Sequence, residues 1–363
     1  LLTAGIIGLP MVGKTTIFNL MTNAGAETSK FFSGRTETNT GMATVPDRRV
    51  DFLSALYRPR RTIYAQVQCS DVPGLVRGAA QGAGVGNQFL DGIRQVDLLV
   101  HVLRAFANPD VLHVDGSIDL LRDVETVELE LLLADMDLLE KRISRIKGGK
   151  KITKENAAEL AVLEKCLGAL EQEVPLHRLD LTDQERAVLR NYNFFTEKPV
   201  LWVVNTDEQQ FKSGNYPGCA ELKQLAAQRG ILLLEVCGQL EMEIAQLSAE
   251  DRELFMADLG LEELGTARLA RAIYHALGLI SFFTVGEDEV KAWTIKRGTV
   301  AQKAAGKIHS DIERGFIRAE VVAYADLERL GSMAGVKDAG LSRLEGRDYI
   351  VQDGDIINFR FNV

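Results

Sequence analysis

The chain has 363 residues, 26% of them charged and 46% hydrophobic, with a net charge of −9. This is the composition of a globular protein with room for two or three domains. It excludes a surface coated with nucleic acid, so any RNA contact needs a local basic patch. No apolar run approaches the ~20 residues of a membrane-spanning helix, and no membrane partner is expected. The chain opens directly on a strand-like run, so no signal peptide is expected. Cys69, Cys166, Cys219 and Cys237 are scattered without metal-ligand spacing and read as reduced thiols of a cytoplasmic protein.

Ala4 to Ile7 reads as a buried strand. It runs into Gly8-Leu9-Pro10-Met11-Val12-Gly13-Lys14-Thr15, which fits G-x-x-x-x-G-K-[ST] at every fixed position, and a helical pattern follows from Thr16. The order suits a phosphate. Glycines let backbone N–H groups turn inward, and the helix N-terminus adds partial positive charge. Gly8, Pro10, Met11, Val12, Gly13, Lys14, Thr15 and Thr16 are therefore the expected nucleotide-binding residues. Lys14 can reach the β- and γ-phosphates and counts as catalytic, and the Thr15 hydroxyl can ligate Mg²⁺. In the polar stretch Gly34 to Asn39, Thr36 is a candidate second Mg²⁺ ligand, with Thr38 and Thr40 as rivals and a plain solvated threonine as the alternative.

A second buried strand, Val67 to Asp71, ends in Asp71-Val72-Pro73-Gly74, the D-x-x-G pattern of the GTPase class. Asp71 would hold Mg²⁺, through water, and the Gly74 N–H would meet the γ-phosphate. Glycines continue at Gly78, Gly82, Gly84 and Gly86, as suits a segment that orders with the γ-phosphate. Leu75 stands where many GTPases carry the glutamine that orients water. A leucine cannot do this, so the water needs another partner. His113, in Pro109 to Val114, reads either as a partly buried loop histidine or as that partner.

From Asp119 the pattern turns helical. Leu129, Leu132, Met136, Leu139, Ile143 and Ile146 recur at alternating three and four residues, as do Leu160, Leu163, Leu167 and Leu170, with a turn at Lys147 to Lys150. This predicts an antiparallel hairpin with a coiled-coil seam. Its tip carries Lys141, Arg142, Arg145, Lys147, Lys150, Lys151 and Lys154 against Glu140 and Glu155. A solvated face and an RNA-phosphate contact both fit such a run. Thr182 to Glu185 reads as a capping box.

Pro199 to Val204 reads as a central strand ending in Asn205-Thr206-Asp207-Glu208, where GTPases carry N-K-x-D. Thr206 replaces the lysine and Glu208 the guanine-reading aspartate, which removes the reason to prefer GTP. Ile231 to Val236 is a further strand, and Cys237 and Gly238 follow in the place of the last base-contacting loop. Asn205, Glu208, Cys237 and Gly238 complete the expected nucleotide site. Phe282 to Val285, Val290 to Ile295 and Ala319 to Ala323 read as strands, and Thr299 as the cap of a short helix. Tyr349 to Val351 and Ile356 to Phe359 flank a turn and read as a hairpin.

Together Gly8 to Thr15, Asp71 to Gly78, Asn205-x-x-Glu208 and Asp353 to Phe359 resemble the YchF family, the Obg-like ATPases, over essentially the whole chain. The resemblance implies an α/β fold: a P-loop NTPase (GTPase-type) domain with an inserted antiparallel helical coiled-coil hairpin and a C-terminal β-grasp TGS domain. The expected boundaries are 1–118 with 198–280, 119–197, and 281–363. It also implies hydrolysis of ATP, either in preference to GTP or with both nucleotides accepted, with Mg²⁺, and association with the ribosome or rRNA through the Lys147–Lys154 tip and the TGS domain. The family's loop histidine matches His113. The family usually has Asn at Met11, where it could help hold K⁺; a thioether suits a hard cation poorly, which counts against K⁺ here. The alternatives are a true GTPase of the same fold, or an RNA- or ribosome-binding adaptor that barely turns over.

Overall fold

The computed structural model describes residues 2–25, 38–75, 78, 90, 92–149 and 153–362. Thr36, Gly82, Gly84, Gly86, Lys150 and Lys151 lie outside them. The chain forms two compact units, residues 1–41 with 68–266, and residues 42–67 with 267–363. These limits differ from the sequence expectation. Residues 42–67 and 267–280 belong to the second unit, and the helices of 119–197 are part of the first.

The chain begins with β1 (Thr3–Ile7), α1 (Lys14–Thr22) and β2 (Asn39–Val45), continues through α2 (Arg48–Tyr57) and β3 (Arg61–Ile63), and returns in β4 (Ala65–Asp71) and β5 (Leu98–Arg104). Then come α3 (Leu120–Lys147), α4 (Lys154–Leu170), α5 (Asp183–Leu189), β6 (Val200–Asn205), α6 (Glu208–Ser213), α7 (Cys219–Arg229), β7 (Leu232–Val236), α8 (Gly238–Ala245) and α9 (Ala249–Asp258). The first sheet has the order β2-β4-β1-β5-β6-β7, and β4, β1, β5, β6 and β7 pair in parallel. β1 and β5 are buried at every position, as parallel strands covered on both faces must be. Parallel pairing brings Ile7, Asp71, Arg104, Asn205 and Val236 to one edge, the carboxyl ends of the strands, where open α/β sheets bind ligands.

The hairpin is present. Leu139, Ile143 and Ile146 of α3 pack with Leu163, Cys166 and Leu170 of α4, and Leu132, Met136, Leu160 and Leu167 flank them. Leu129 departs from the expected seam and is 50% exposed. The first half of α3 buries a different stripe, with Leu120 and Val124 against Trp202 and Leu222, so Leu129 points elsewhere. The capping box of Thr182 and Glu185 forms as expected.

In the second unit α10 (Gly265–Ala276) ends before β8 (Leu279–Val285) and β9 (Glu289–Lys296); α11 (Ala301–Ile308), α12 (Ser310–Arg314), β10 (Phe316–Ala323), α13 (Tyr324–Leu330), α14 (Met333–Asp338), β11 (Arg343–Glu345) and β12 (Asp355–Phe361) follow. The sheet order is β11-β10-β12-β8-β9-β3. The helix α11 lays Ala301, Ala304 and Ala305 on Phe282, Ile295, Phe316 and Phe359. Two expectations fail here. Tyr349 to Val351 does not pair with β12, whose edges are taken by β10 and β8; instead Tyr349 Oη and Gln352 N donate to the Asp355 carboxylate, at 2.8 Å each. Thr299 does not cap α11, because its hydroxyl donates to Lys296 O at 2.6 Å.

Candidate functional site

The loop between β1 and α1 is set by backbone geometry. Gly8, Met11 and Gly13 have φ of 146°, 64° and 95°. A Cβ on Gly8 would meet Val102 O at 2.5 Å, and one on Gly13 would meet Asn205 Nδ2 at 2.2 Å. Only glycine fits either place. Lys14, 7% exposed, donates from Nζ to Leu9 O at 2.7 Å and Gly8 O at 3.2 Å. This holds the ammonium at the loop. Below it His101 of β5 is wholly buried; burial first, then the Lys14 charge, pushes its imidazole down to about 3, so it stays neutral.

The D-x-x-G segment docks directly on this loop. Val72 N donates to Ile6 O at 3.2 Å and Leu75 N to Gly8 O at 3.1 Å. A Cβ on Gly74 would lie 3.0 Å from Pro10 Cα, so the two backbones touch where a side chain would part them. The Leu75 side chain is buried. Thr15 Oγ1 donates to Asp71 Oδ2 at 2.8 Å. A hydroxyl and a carboxylate side by side are hard oxygen donors, and this donor set fits Mg²⁺. Of the threonines that could add to it, Thr36 lies outside the described residues, and Thr40 Oγ1 lies 3.3 Å from Ser70 Oγ within β2.

Asn205 joins the two remaining loops. Its Nδ2 donates to Val12 O at 3.0 Å and its Oδ1 accepts from Gly238 N at 3.1 Å. Glu208 opens α6, pairs with Lys212 at 2.6 Å and lines a cleft of about 700 Å³ together with Gln209, Cys237 and Gln239. The Cys237 thiol is pushed up to about 11 by burial and is inert.

His113 is buried and its ring is engaged on both sides. Nδ1 accepts from Asp115 N at 3.1 Å, so the ring proton sits on Nε2 and is donated to Asp123 Oδ2 at 2.9 Å. Arg122 completes this cluster, 2.9 Å from Asp123 and 3.7 Å from Asp115, and its guanidinium pairs with both acids. The site thus brings together Gly8 to Thr15, Asp71, Gly74, Asn205 and Gly238, while His113 is held on the first turn of α3. Sequence reading missed three groups here. Arg104 bonds to Met11 O, Asp123 holds His113, and Glu130 of α3 accepts from Gly78 N at 2.6 Å. All three partners lie far apart in the chain or carry no motif.

Residues 3–135 match the family model described as 50S ribosome-binding GTPase, and residues 279–362 match the C-terminal model of YchF-type GTPases, described as a protein of unknown function. The chain is 46% identical to the ribosome-binding ATPase YchF of Bacillus subtilis (strain 168), over 100% of both chains. It is 45% identical to the protein of that name from Escherichia coli O157:H7, over 99% of both. Its structure is similar to that of the Schizosaccharomyces pombe YchF GTPase, with a TM-score of 0.85 and 30% identity over 99% of this chain and 97% of that one. With the phosphate loop, the D-x-x-G segment and both family models in one chain, it belongs to the YchF family.

Proposed function

We propose that this chain is a nucleoside triphosphatase switch that uses Mg²⁺, hydrolyses ATP and also GTP to the diphosphate and phosphate, and associates with the ribosome. The observation that carries the reading is the docking of the D-x-x-G segment on the phosphate loop, with Thr15 and Asp71 joined at 2.8 Å. The related proteins named ribosome-binding ATPase support the same reading. Thr15 and Asp71 would hold Mg²⁺, which when bound neutralises phosphate charge. Lys14 would meet the β- and γ-phosphates, and the Gly74 N–H would sense the γ-phosphate. Asn205 would fix the base loops to the phosphate loop. Glu208 and the Gln209 and Gln239 amides line the base cleft, and an amide can both donate and accept, which suits either purine. The Lys147–Lys154 tip and the C-terminal unit, read as a TGS domain, would make the RNA contacts.

A second reading, an adaptor with slow intrinsic turnover, is favoured by one observation. Both nitrogens of His113 are occupied, by Asp123 and by Asp115 N. Hydrolysis would then be slow until a partner moves that loop. One experiment separates the readings: titration and single-turnover hydrolysis of ATP and GTP at matched Mg²⁺, with Lys14→Ala as control. ATP should bind at least as tightly as GTP, and Lys14→Ala should abolish turnover in a folded chain. A GTP preference beyond about tenfold, roughly 1.4 kcal/mol, makes it a true GTPase. Turnover on neither nucleotide, with or without ribosomes, leaves the adaptor.

A further inference from the structure

Arg104 closes β5 and is 2% exposed. Its guanidinium donates to backbone carbonyls from all three nitrogens. Nε reaches Phe106 O at 3.1 Å, Nη1 reaches Met11 O at 3.3 Å, and Nη2 reaches Val111 O at 2.7 Å and Asn108 O at 3.5 Å. Met11 is the phosphate-loop residue at φ 64°. The other three acceptors belong to the loop that carries His113. The guanidinium also lies 4.4 Å over the Phe106 ring, which orients its plane.

The same loop is tied to the base side of the site. Ala105 N and Phe106 N donate to Asn205 O at 2.9 and 3.2 Å, and Gln210 Nε2 donates to Ala105 O at 2.9 Å. Its far end is held by His113 on Asp123. Arg104 therefore joins the phosphate loop to this loop across the strand ends. The link needs a rigid fork. A lysine offers a single ammonium on a flexible stem and lacks the planar fork that holds Met11 O and Val111 O from two separate nitrogens.

We propose that Arg104 is a positioning residue for hydrolysis: it fixes the 105–113 loop against the phosphate loop, so that His113, once released from Asp123, meets the water at the bound triphosphate. Buried among four backbone carbonyls, Arg104 would act through the loop and not on the nucleotide itself. The inference rests on the reading of this site as a triphosphatase in which His113 acts.

The test is a double-mutant cycle on the full chain. Single-turnover ATP hydrolysis and equilibrium binding of a non-hydrolysable ATP analogue are measured for the parent, Arg104→Lys, Arg104→Met, His113→Ala and both doubles. The Arg104 variants should bind the analogue within about threefold of the parent and hydrolyse ATP at least about tenfold more slowly, the pattern of lost transition-state positioning. In the His113→Ala background, either Arg104 substitution should change the rate by less than about twofold. Arg104→Lys, which keeps the charge, should not restore the rate; if Arg104→Met does not fold, the lysine variant carries the test. Rate losses that add overturn the proposal, because Arg104 then acts without His113. Loss of affinity in step with rate also overturns it, because Arg104 then only braces the phosphate loop. A parent rate in the Arg104 variants while His113→Ala is slow sinks this inference alone. A parent rate in His113→Ala sinks the reading of His113 first.

Discussion

Single residues in the phosphate loop carry backbone strain and, in the proposed function, the chemistry. Met11 sits at φ 64°, where an L-residue with a long side chain pays a steric cost and asparagine is better tolerated. Met11→Asn should therefore raise stability by ~0.5–1 kcal/mol, read as a higher thermal midpoint. An unchanged midpoint would mean that the loop relaxes around methionine. The same residue bears on the cation. A thioether is a poor ligand for K⁺, so the parent should hydrolyse ATP equally in K⁺ and Na⁺, and Met11→Asn should gain a preference for K⁺. At this scale much of the site was legible in the sequence. Gly8, Gly13, Lys14 and Thr15 act within one loop, so their spacing is their geometry. Arg104 was not legible, because its contact with Met11 exists only when the parallel register of β5 and β1 sets the two side by side. Nor was the engagement of His113, whose partner Asp123 looks like any acid in the first turn of a helix.

The helical hairpin shows where pattern reading holds and where it slips. Periodicity located α3 and α4, because a seam repeats locally. It misplaced Leu129, because α3 changes the core it faces along its length. The charge run is also more balanced than residues 140–155 alone suggest. Lys141 pairs with Asp137 at 2.7 Å, Lys147 with Glu164 at 2.7 Å, and Arg142 with Glu159 at 2.8 Å through two parallel bonds. Asp137, Glu159 and Glu164 lie outside that span. If the tip still meets RNA, reversal of Lys147, Lys150 and Lys151 to Glu should weaken ribosome co-sedimentation by about tenfold at low salt and flatten its salt dependence. Unchanged co-sedimentation returns these lysines to a solvated face. Deeper in the hairpin, Asp135 is buried and accepts from Phe195 N at 3.0 Å and from Thr196 N and Oγ1 at 2.8 Å each. Burial pushes its carboxyl up to about 6 against the pull of these donors. The folded chain thus holds this proton more tightly than the unfolded chain, whose carboxyl titrates near ~3.9. The group's stabilisation is complete below about 4 and is lost as pH rises through about 6. Urea unfolding free energies of the first unit in the parent and in Asp135→Asn, compared from pH 7.5 down to about 4.5, should diverge in the parent's favour by up to about 2 kcal/mol. A constant difference would mean the three donors hold the carboxyl at its ordinary value.

At the scale of the whole chain, the second unit is assembled from two separate stretches. Residues 42–67 leave the first sheet within β2, build α2 and β3, and return within β4. No motif marks this excursion, which is why the sequence reading left it in the nucleotide domain. Its anchors are long-range. β3 pairs in parallel with β9 from Arg61 opposite Glu289 to Ile63 opposite Lys291. Phe52 packs edge-on against Tyr324 at 5.6 Å. Arg49 does most of the joining. It bonds Asp47 at 2.8 Å within its own turn and Asp353 at 3.1 Å, and lies 5.1 Å from the Phe283 ring. Asp353 in turn accepts from Ser281 N at 3.0 Å, so the guanidinium helps fix the start of β12 to β8. The Arg49 side chain is 25% exposed, so solvent screens part of these interactions. Arg49→Ala should then cost about 1–3 kcal/mol, between the value of a surface pair and that of a buried one. A chain of two units need not unfold in one step, so an effect confined to one unit is read by a measure that separates them. Native-state hydrogen exchange resolves the units. In Arg49→Ala, amides of β8, β9 and β12 should exchange about 5- to 150-fold faster, by the same free energy, while those of β1, β5 and β6 keep the parent rate. Equal acceleration in both sheets would mean that residues 42–67 stabilise the chain as a whole; no acceleration in β8, β9 and β12 would reduce Arg49 to a solvated surface pair.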